Sequence, residues 1–104
     1  MIKVSVMYPN GNDVNFDVSY YKNSHLPMVI KALGNALKGI ELDLGLAGRN
    51  PQETAPYVAI AHLKFESLTS FKESFGAHAK MFAEDVKNYS NVQGELQISE
   101  LITF

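Results

Sequence analysis

Alternating apolar and polar residues predict four β-strands. Each segment places apolar side chains at every second position, which is the period of a strand. In the third segment Val58 and Ile60 also make the second face apolar, and in the fourth Leu101 does the same. We therefore expect a sheet with apolar residues on both faces. The four segments are 2–8, 40–46, 57–65 and 95–103.

Two helical regions separate these strands. Asp17 is a plausible N-cap for the first, in which apolar residues recur at spacings of three and four. Pro27 has no amide hydrogen and disfavours the α conformation at Leu26. We expect a short helix ending near residue 24, a kink, and a second segment over 27–37. Ser67 has the position of an N-cap for the second helical region, which continues past a weak point at Gly76.

The element order predicts the fold class. Strand, helix, strand, strand, helix, strand is a βαββαβ arrangement, an α+β fold in a single domain over residues 1–104. Two right-handed βαβ units of this kind interleave into one four-stranded antiparallel sheet with both helices on the same face. The other face is then uncovered, and burying apolar surface there contributes about 25 cal/mol per Å². We therefore expect a homodimer that forms through the sheet face.

Composition excludes several classes of protein. The 104 residues carry a net charge of −2 and contain no basic run, which argues against nucleic acid or an anionic membrane as a partner. No apolar run approaches the roughly 18 to 20 residues that span a bilayer. The absence of cysteine removes disulfides, thiolate chemistry and cysteine-bound metals. The N-terminus has the alternation of a strand rather than a signal peptide, so we expect a cytoplasmic protein.

His25 is the principal candidate for chemistry. It falls on the apolar stripe of the first helical region, beside the backbone carbonyl that Pro27 leaves without a partner. A histidine titrates near neutral pH and can act as a general base or donate a hydrogen bond to a substrate oxygen. The alternative is a structural histidine that bonds the free carbonyl of the broken helix. Tyr21 and Met28 lie about one turn to either side and are expected to contact a substrate.

The remaining polar residues give weaker indications. Tyr8, Tyr20 and Tyr57 can direct hydroxyls into a pocket, although core packing is the alternative for each. The three histidines lack the spacing of metal ligands, so we expect neither a metal nor an organic cofactor. Glu84 and Asp85 are interpreted as a solvated helix face.

With these residues in view, the chain resembles the EthD family, named for ethyl tert-butyl ether degradation, in the dimeric α/β-barrel superfamily. The likeness covers nearly the whole chain. Its most specific part is the Tyr-Tyr-x-x-x-His-x-Pro element. The segments that carry it are Met7-Tyr8-Pro9-Asn10, Phe16-Asp17-x-x-Tyr20-Tyr21-x-x-x-His25-x-Pro27, and the segment from Tyr57 to Ser67.

The resemblance implies a ferredoxin-like monomer whose sheet pairs with that of a partner to form a barrel. It also implies a pocket between the sheet and the helices, with His25 at the position of the family's characteristic histidine. Relatives in the superfamily include cofactor-independent monooxygenases, lactone isomerases and polyketide cyclases. We thus expect an oxidoreductase, isomerase or cyclase that acts on a small apolar, oxygenated or aromatic molecule. One alternative is a non-catalytic protein that binds or carries such a molecule in a degradation pathway. Another is a haem-binding protein with histidine as the axial ligand, since the superfamily also includes haem-handling proteins.

Overall fold

A computed structural model describes all 104 residues. Short 3₁₀ turns at Gly34–Ala36 and Val86–Asn88 end the two helical regions. One turn of π-helix, Tyr21–His25, joins the first two helices. The strands and helices, in chain order, are β1 (Ile2–Pro9), α1 (Val18–Tyr20), α2 (Leu26–Leu33), β2 (Gly39–Leu44), β3 (Tyr57–Phe65), α3 (Leu68–Gly76), α4 (Ala79–Asp85) and β4 (Glu95–Glu100).

The four strands form one antiparallel sheet in the order β2-β3-β1-β4. Val4 of β1 lies between Leu63 of β3 and Ile98 of β4, and paired residues of neighbouring strands point to the same face. On that face Val4 and Leu63 pack against Val29 of α2 and Phe82 of α4 in a single buried core. The α+β, ferredoxin-like architecture predicted from the element order is therefore confirmed.

The two predicted N-caps are present. The Asp17 carboxylate accepts a hydrogen bond from the amide of Tyr20, and the Ser67 hydroxyl accepts one from the amide of Ser70. Each bond satisfies an amide that the first turn of a helix leaves without a backbone partner.

The predicted break at Pro27 is wrong. Leu26 has helical dihedral angles, φ −63° and ψ −40°, and its amide bonds to the carbonyl of Tyr21, five residues earlier. The wider π-helical turn accommodates the proline within a continuous helical path. The helix stops at Leu33 rather than Leu37, because Gly34 adopts a positive φ of 54°.

Two strands are shorter than predicted. β2 ends at Leu44, and Leu46 is 96% exposed. β4 ends at Glu100 rather than Thr103, because Glu100 pairs with Ile2, the first residue of β1. Because β1 begins at Ile2, no strand residue remains with which β4 could pair beyond Glu100.

The uncovered face of the sheet is more polar than predicted. Its centre is a chain of hydrogen bonds across three strands: Ser5 Oγ lies 3.0 Å from His62 Nδ1, and His62 Nε2 lies 2.8 Å from Asp43 Oδ2. Met7 and Ile60 are half-buried apolar residues beside it. The apolar residues of β4 lie on the opposite, helix-facing side, since Leu96 and Ile98 pair with Val6 and Val4. Ile60 of β3 lies on this face as predicted, whereas Leu101 lies beyond the end of β4, so the second face is apolar only in part.

No helix of the chain combines the length and apolar character that crossing a membrane requires. The cytoplasmic location expected from the sequence stays a prediction.

Candidate functional site

A cavity of about 300 Å³ lies between the helix-facing side of the sheet and the helices. This volume is at the lower end of the range of small-molecule sites, about 300 to 1,000 Å³. Thirteen of its sixteen lining residues are hydrophobic, so an uncharged, apolar ligand fits it best. The polar side chains among its walls are those of Tyr8, Tyr21, His25, Tyr89 and Gln93.

The π-helical turn places His25 in the wall of this cavity. Tyr21 and His25, at either end of the turn, are 2% and 5% exposed, whereas the three residues between them face solvent. Their rings stack at a centroid distance of 5.3 Å. Such single π turns occur frequently at functional sites, because the extra residue redirects neighbouring side chains.

Asp85, the last residue of α4, orients the imidazole. Its Oδ2 lies 2.8 Å from His25 Nδ1. Its Oδ1 accepts hydrogen bonds from the Tyr20 hydroxyl at 2.7 Å and from the Asn88 amide at 2.8 Å. The carboxylate is thereby held from three directions, and His25 is restricted to one ring orientation.

The surroundings of this pair favour a neutral imidazole beside an ionised carboxylate. Burial lowers the pKa of His25 below its ordinary value of 6.5, and the hydrogen bond and charge of Asp85 oppose this only in part. Burial raises the pKa of Asp85, but hydrogen bonds from Asn88, His25 and Tyr20 outweigh it and leave that pKa below its ordinary value. At neutral pH the Nδ1–H of His25 therefore donates to Asp85.

This tautomer leaves Nε2 of His25 as the atom that can accept a proton. Nε2 has no hydrogen-bond partner in the protein. Every fully buried polar side-chain atom of the chain has such a partner, so Nε2 is not fully buried. Nε2 therefore stays accessible, and His25 lines the cavity. A neutral histidine with an oriented ring and a free Nε2 has the arrangement of a general base.

Two buried tyrosines, Tyr21 and Tyr89, contact the ring of His25, and a third, Tyr8, contacts both of them. The hydroxyls of Tyr8 and Tyr89 are 2.6 Å apart. The ring of Tyr89 lies 4.6 Å from that of His25 and 4.8 Å from that of Tyr21, measured between centroids. The cluster brings polar oxygens to an otherwise apolar cavity.

The structure brings together some of the predicted site residues and separates others. Tyr8, Tyr21 and His25 all line the cavity. Tyr20 lies outside its lining and holds Asp85 instead. Met28 is partly buried against the core without lining the cavity.

The hydroxyl of Tyr57 also lies outside the cavity lining. It donates a hydrogen bond to Glu95 at 3.2 Å. Its removal would therefore leave the cavity walls unchanged.

Sequence reasoning missed Asp85 and Tyr89. The interpretation of Asp85 as part of a solvated face is wrong, because its carboxylate is bound to His25. A signal was present: Asp85 follows Phe82 by three positions and precedes Tyr89 by four, which places all three on one helical stripe. Glu84 does face solvent, where it pairs with Lys80.

Metal-binding geometry is not found in the chain. No group of three or more histidine, aspartate or glutamate side chains is arranged to hold a metal ion. The polar groups of the site are the His25–Asp85 pair and the tyrosines.

Comparison with solved structures places the chain in a family. It is 34% identical to an EthD-like protein from Ralstonia eutropha, covering 98% of this chain and 92% of that one, with a TM-score of 0.93. The chain belongs to the EthD family. An ethyl tert-butyl ether (EthD) family protein from Bacillus halodurans is 16% identical over 98% of this chain and 99% of its own length, with a TM-score of 0.77.

More distant likenesses concern the fold alone. An antibiotic biosynthesis monooxygenase is 9% identical over 99% of this chain and 100% of its own length, with a TM-score of 0.53. The chain matches no protein-family model and no curated protein sequence.

Proposed function

We propose that this EthD family protein is an enzyme that removes a proton from a small, apolar, oxygenated molecule, with His25 as the general base. The observation that carries the proposal is the hydrogen bond between His25 Nδ1 and Asp85 in the wall of an apolar cavity. It leaves Nε2 as the atom of the imidazole that can take a proton. Oxygenation, isomerisation and cyclisation of such molecules can each begin with this step.

The electrostatics support the same direction of proton transfer. A base must be unprotonated before the reaction, and the lowered pKa of His25 meets this condition at neutral pH. Once Nε2 takes a proton, the imidazolium stays paired with the Asp85 carboxylate, which offsets the cost of a charge in an apolar site. Both protonation states are therefore accommodated.

Proton exchange tests the proposal without knowledge of the complete reaction. Acetophenone and cyclohexanone are dissolved in D₂O with the protein, and loss of their α-proton signals is followed by NMR. We expect the wild type to accelerate exchange of at least one of them. We expect the protein-catalysed exchange rate of His25→Gln to be lower than that of the wild type by about 100-fold or more, the usual contribution of a general base.

The matched control is His62→Gln, which changes a histidine on the opposite face of the sheet. It should exchange at the wild-type rate. Equal rates for wild type and His25→Gln would remove His25 from the chemistry. Binding of either ketone without any exchange would favour the alternative, a protein that binds or carries a small molecule.

We also propose that the chain forms a homodimer through the uncovered sheet face. Ile60 and Met7 offer apolar contacts there, and the chain of hydrogen bonds through His62 satisfies the polar side chains at its centre. Further apolar side chains are exposed at the C-terminus, namely Ile102 and Phe104.

A further inference from the structure

The cavity opens to solvent between α4 and β4. Ala83, Gln93 and Leu96 all belong to its lining, and all three are also exposed at the surface. His25 and Tyr89, in contrast, are buried members of the same lining, at 5% and 3% exposure. The cavity therefore has a closed side that holds His25 and an open side beside β4.

Apolar side chains continue from this opening along β4. Leu96 lines the cavity and is 48% exposed, and Ile98, two residues further on the same side of the strand, is 42% exposed. The helices cover β1 but leave this edge open, since Val4 is 0% exposed and Ile98, its partner in β4, is not buried. We call Leu96 and Ile98 the β4 strip.

The β4 strip leads away from the polar groups of the cavity. At its inner end Gly94 lies against Tyr8, because an added Cβ would be 3.1 Å from two atoms of that ring. Leu96, Ile98 and Glu100 follow at every second position and share the helix-facing side. No polar side chain interrupts that side of β4 before Glu100, whose carboxylate ends the apolar surface.

We infer that the β4 strip extends the cavity into a binding site for an unbranched alkyl chain, so that the substrate has its reacting group at His25 and a tail over Leu96 and Ile98. Leu96 belongs to both the cavity and the strip, so one ligand can occupy the two without a gap. The reaction at His25 is that of the function proposed above, on which this inference rests, and the alkyl tail defines the substrate class.

The length of the strip sets the length of the tail. Two residues of a strand span about 6.6 Å, which is the length of about five methylene groups. A fully buried methylene group raises affinity by a factor of about four. A chain that lies on the strip keeps one side in water, so we expect about twofold per group, or about 30-fold for five groups.

Binding of 2-pentanone and 2-decanone tests the inference, because the two ketones share a head group and differ by five methylene groups. Isothermal titration calorimetry gives both affinities. We expect the wild type to bind 2-decanone about 30-fold more tightly than 2-pentanone. Ile98→Glu should weaken binding of 2-decanone by about tenfold or more, because it places a charge under the tail. The same variant should bind 2-pentanone as the wild type does, which also shows that the cavity is intact.

Ile30→Glu is the matched control, because Ile30 is 44% exposed on α2 and lies outside the cavity lining. It should bind both ketones as the wild type does. Ile98→Thr is a second variant that keeps a β-branched side chain in the strand, in case the charge at this position unfolds β4. It should weaken binding of 2-decanone by about threefold and leave binding of 2-pentanone unchanged.

Equal affinities of the wild type for the two ketones, absence of 2-decanone binding, or an unchanged affinity of Ile98→Glu for 2-decanone would overturn the inference. If Ile98→Glu instead loses the dimer and keeps its affinity for 2-decanone, the strip belongs to an interface with a second copy of the chain and not to a ligand.

The proposed function is tested separately by ketone exchange with His25→Gln. That variant should keep the preference for 2-decanone, because the strip lies outside the closed side of the cavity. Wild-type exchange in His25→Gln together with an intact preference would remove His25 as the base and leave the alkyl site. The two failures are therefore distinguishable.

Discussion

Asp85 and His25 are 60 positions apart in the chain, and their side chains meet at 2.8 Å. The contact joins the end of α4 to the π-helical turn between α1 and α2. It fixes the tautomer of the imidazole, since Nδ1 must carry the hydrogen that Asp85 accepts. Two helical regions are thereby combined into one site.

Replacing Asp85 by Asn should slow α-proton exchange by about 10- to 100-fold. The amide cannot stabilise the imidazolium with a charge-assisted hydrogen bond, a contribution of about 1.5 to 3 kcal/mol. NMR exchange rates of acetophenone measure the effect. Glu84→Gln, on the solvent side of the same helix, is the matched control and should leave the rate unchanged. A rate for Asp85→Asn equal to the wild type would contradict the role assigned to the carboxylate.

The exchange rate should rise with pH through the pKa of His25 and stay level above it. This pKa lies below 6.5, because burial favours the neutral ring, so the level region should include neutral pH. In Asp85→Asn the inflection should move to lower pH, since Asp85 raises the pKa. The rates and an NMR titration of the His25 ring check both statements. A level region that begins only above pH 6.5 would show that His25 is not the titrating base.

The lowered pKa of His25 also predicts that the stability of the protein depends on pH. The unfolded chain binds a proton at His25 near pH 6.5, before the folded protein does, so the contribution to the free energy of unfolding is complete above that pH. It declines as pH falls from 6.5 through the lower pKa of the folded state. Urea denaturation of the wild type and His25→Gln at several pH values isolates this contribution as their difference. A difference that does not change with pH would contradict the shift.

Replacing Gly94 by Ala should disturb the position of Tyr8. An added Cβ would lie 2.9 Å from Val6 Cγ1 and 3.1 Å from two ring atoms of Tyr8, so neighbouring atoms would have to move. We expect the free energy of unfolding to fall by about 1 to 3 kcal/mol.

The matched control for that change is Gly76→Ala at the end of α3, where a Cβ would meet nothing within 4 Å. This variant should gain up to about 1 kcal/mol of stability, because alanine favours a helix over glycine. Denaturant titration measures both variants. Equal stabilities of Gly94→Ala and the wild type would contradict the prediction, because they would mean that Val6 and Tyr8 move aside without a measurable cost.

The proposed dimer predicts a sedimenting species of twice the 11.5 kDa chain mass at micromolar concentration. Ile60→Lys should weaken it by placing a charge in the interface. Ile30→Lys changes an isoleucine that is already 44% exposed on α2 and should leave the dimer intact. A wild type that sediments only at 11.5 kDa, or an Ile60→Lys dimer as stable as the wild type, would refute this interface.

Local sequence rules predicted most of the fold. The limits of β3 and the caps at Asp17 and Ser67 follow from alternation and from side chains that bond the nearest free amides. The break predicted at Pro27 failed because the rule considers one helical hydrogen-bond pattern. An i to i−5 bond from Leu26 provides another.

In the candidate site, too, local spacing predicted some features and tertiary packing decided the others. Helical periodicity by itself placed His25 on a buried stripe, and it placed Tyr21 one turn away. The partner of His25 was decided by the tertiary structure, because packing of α4 against the first helical region brings Asp85 to Nδ1. The Tyr8–Tyr89 contact spans 81 positions for the same reason. Spacing along a chain reports neighbours on one element, whereas contacts between elements depend on how the core packs.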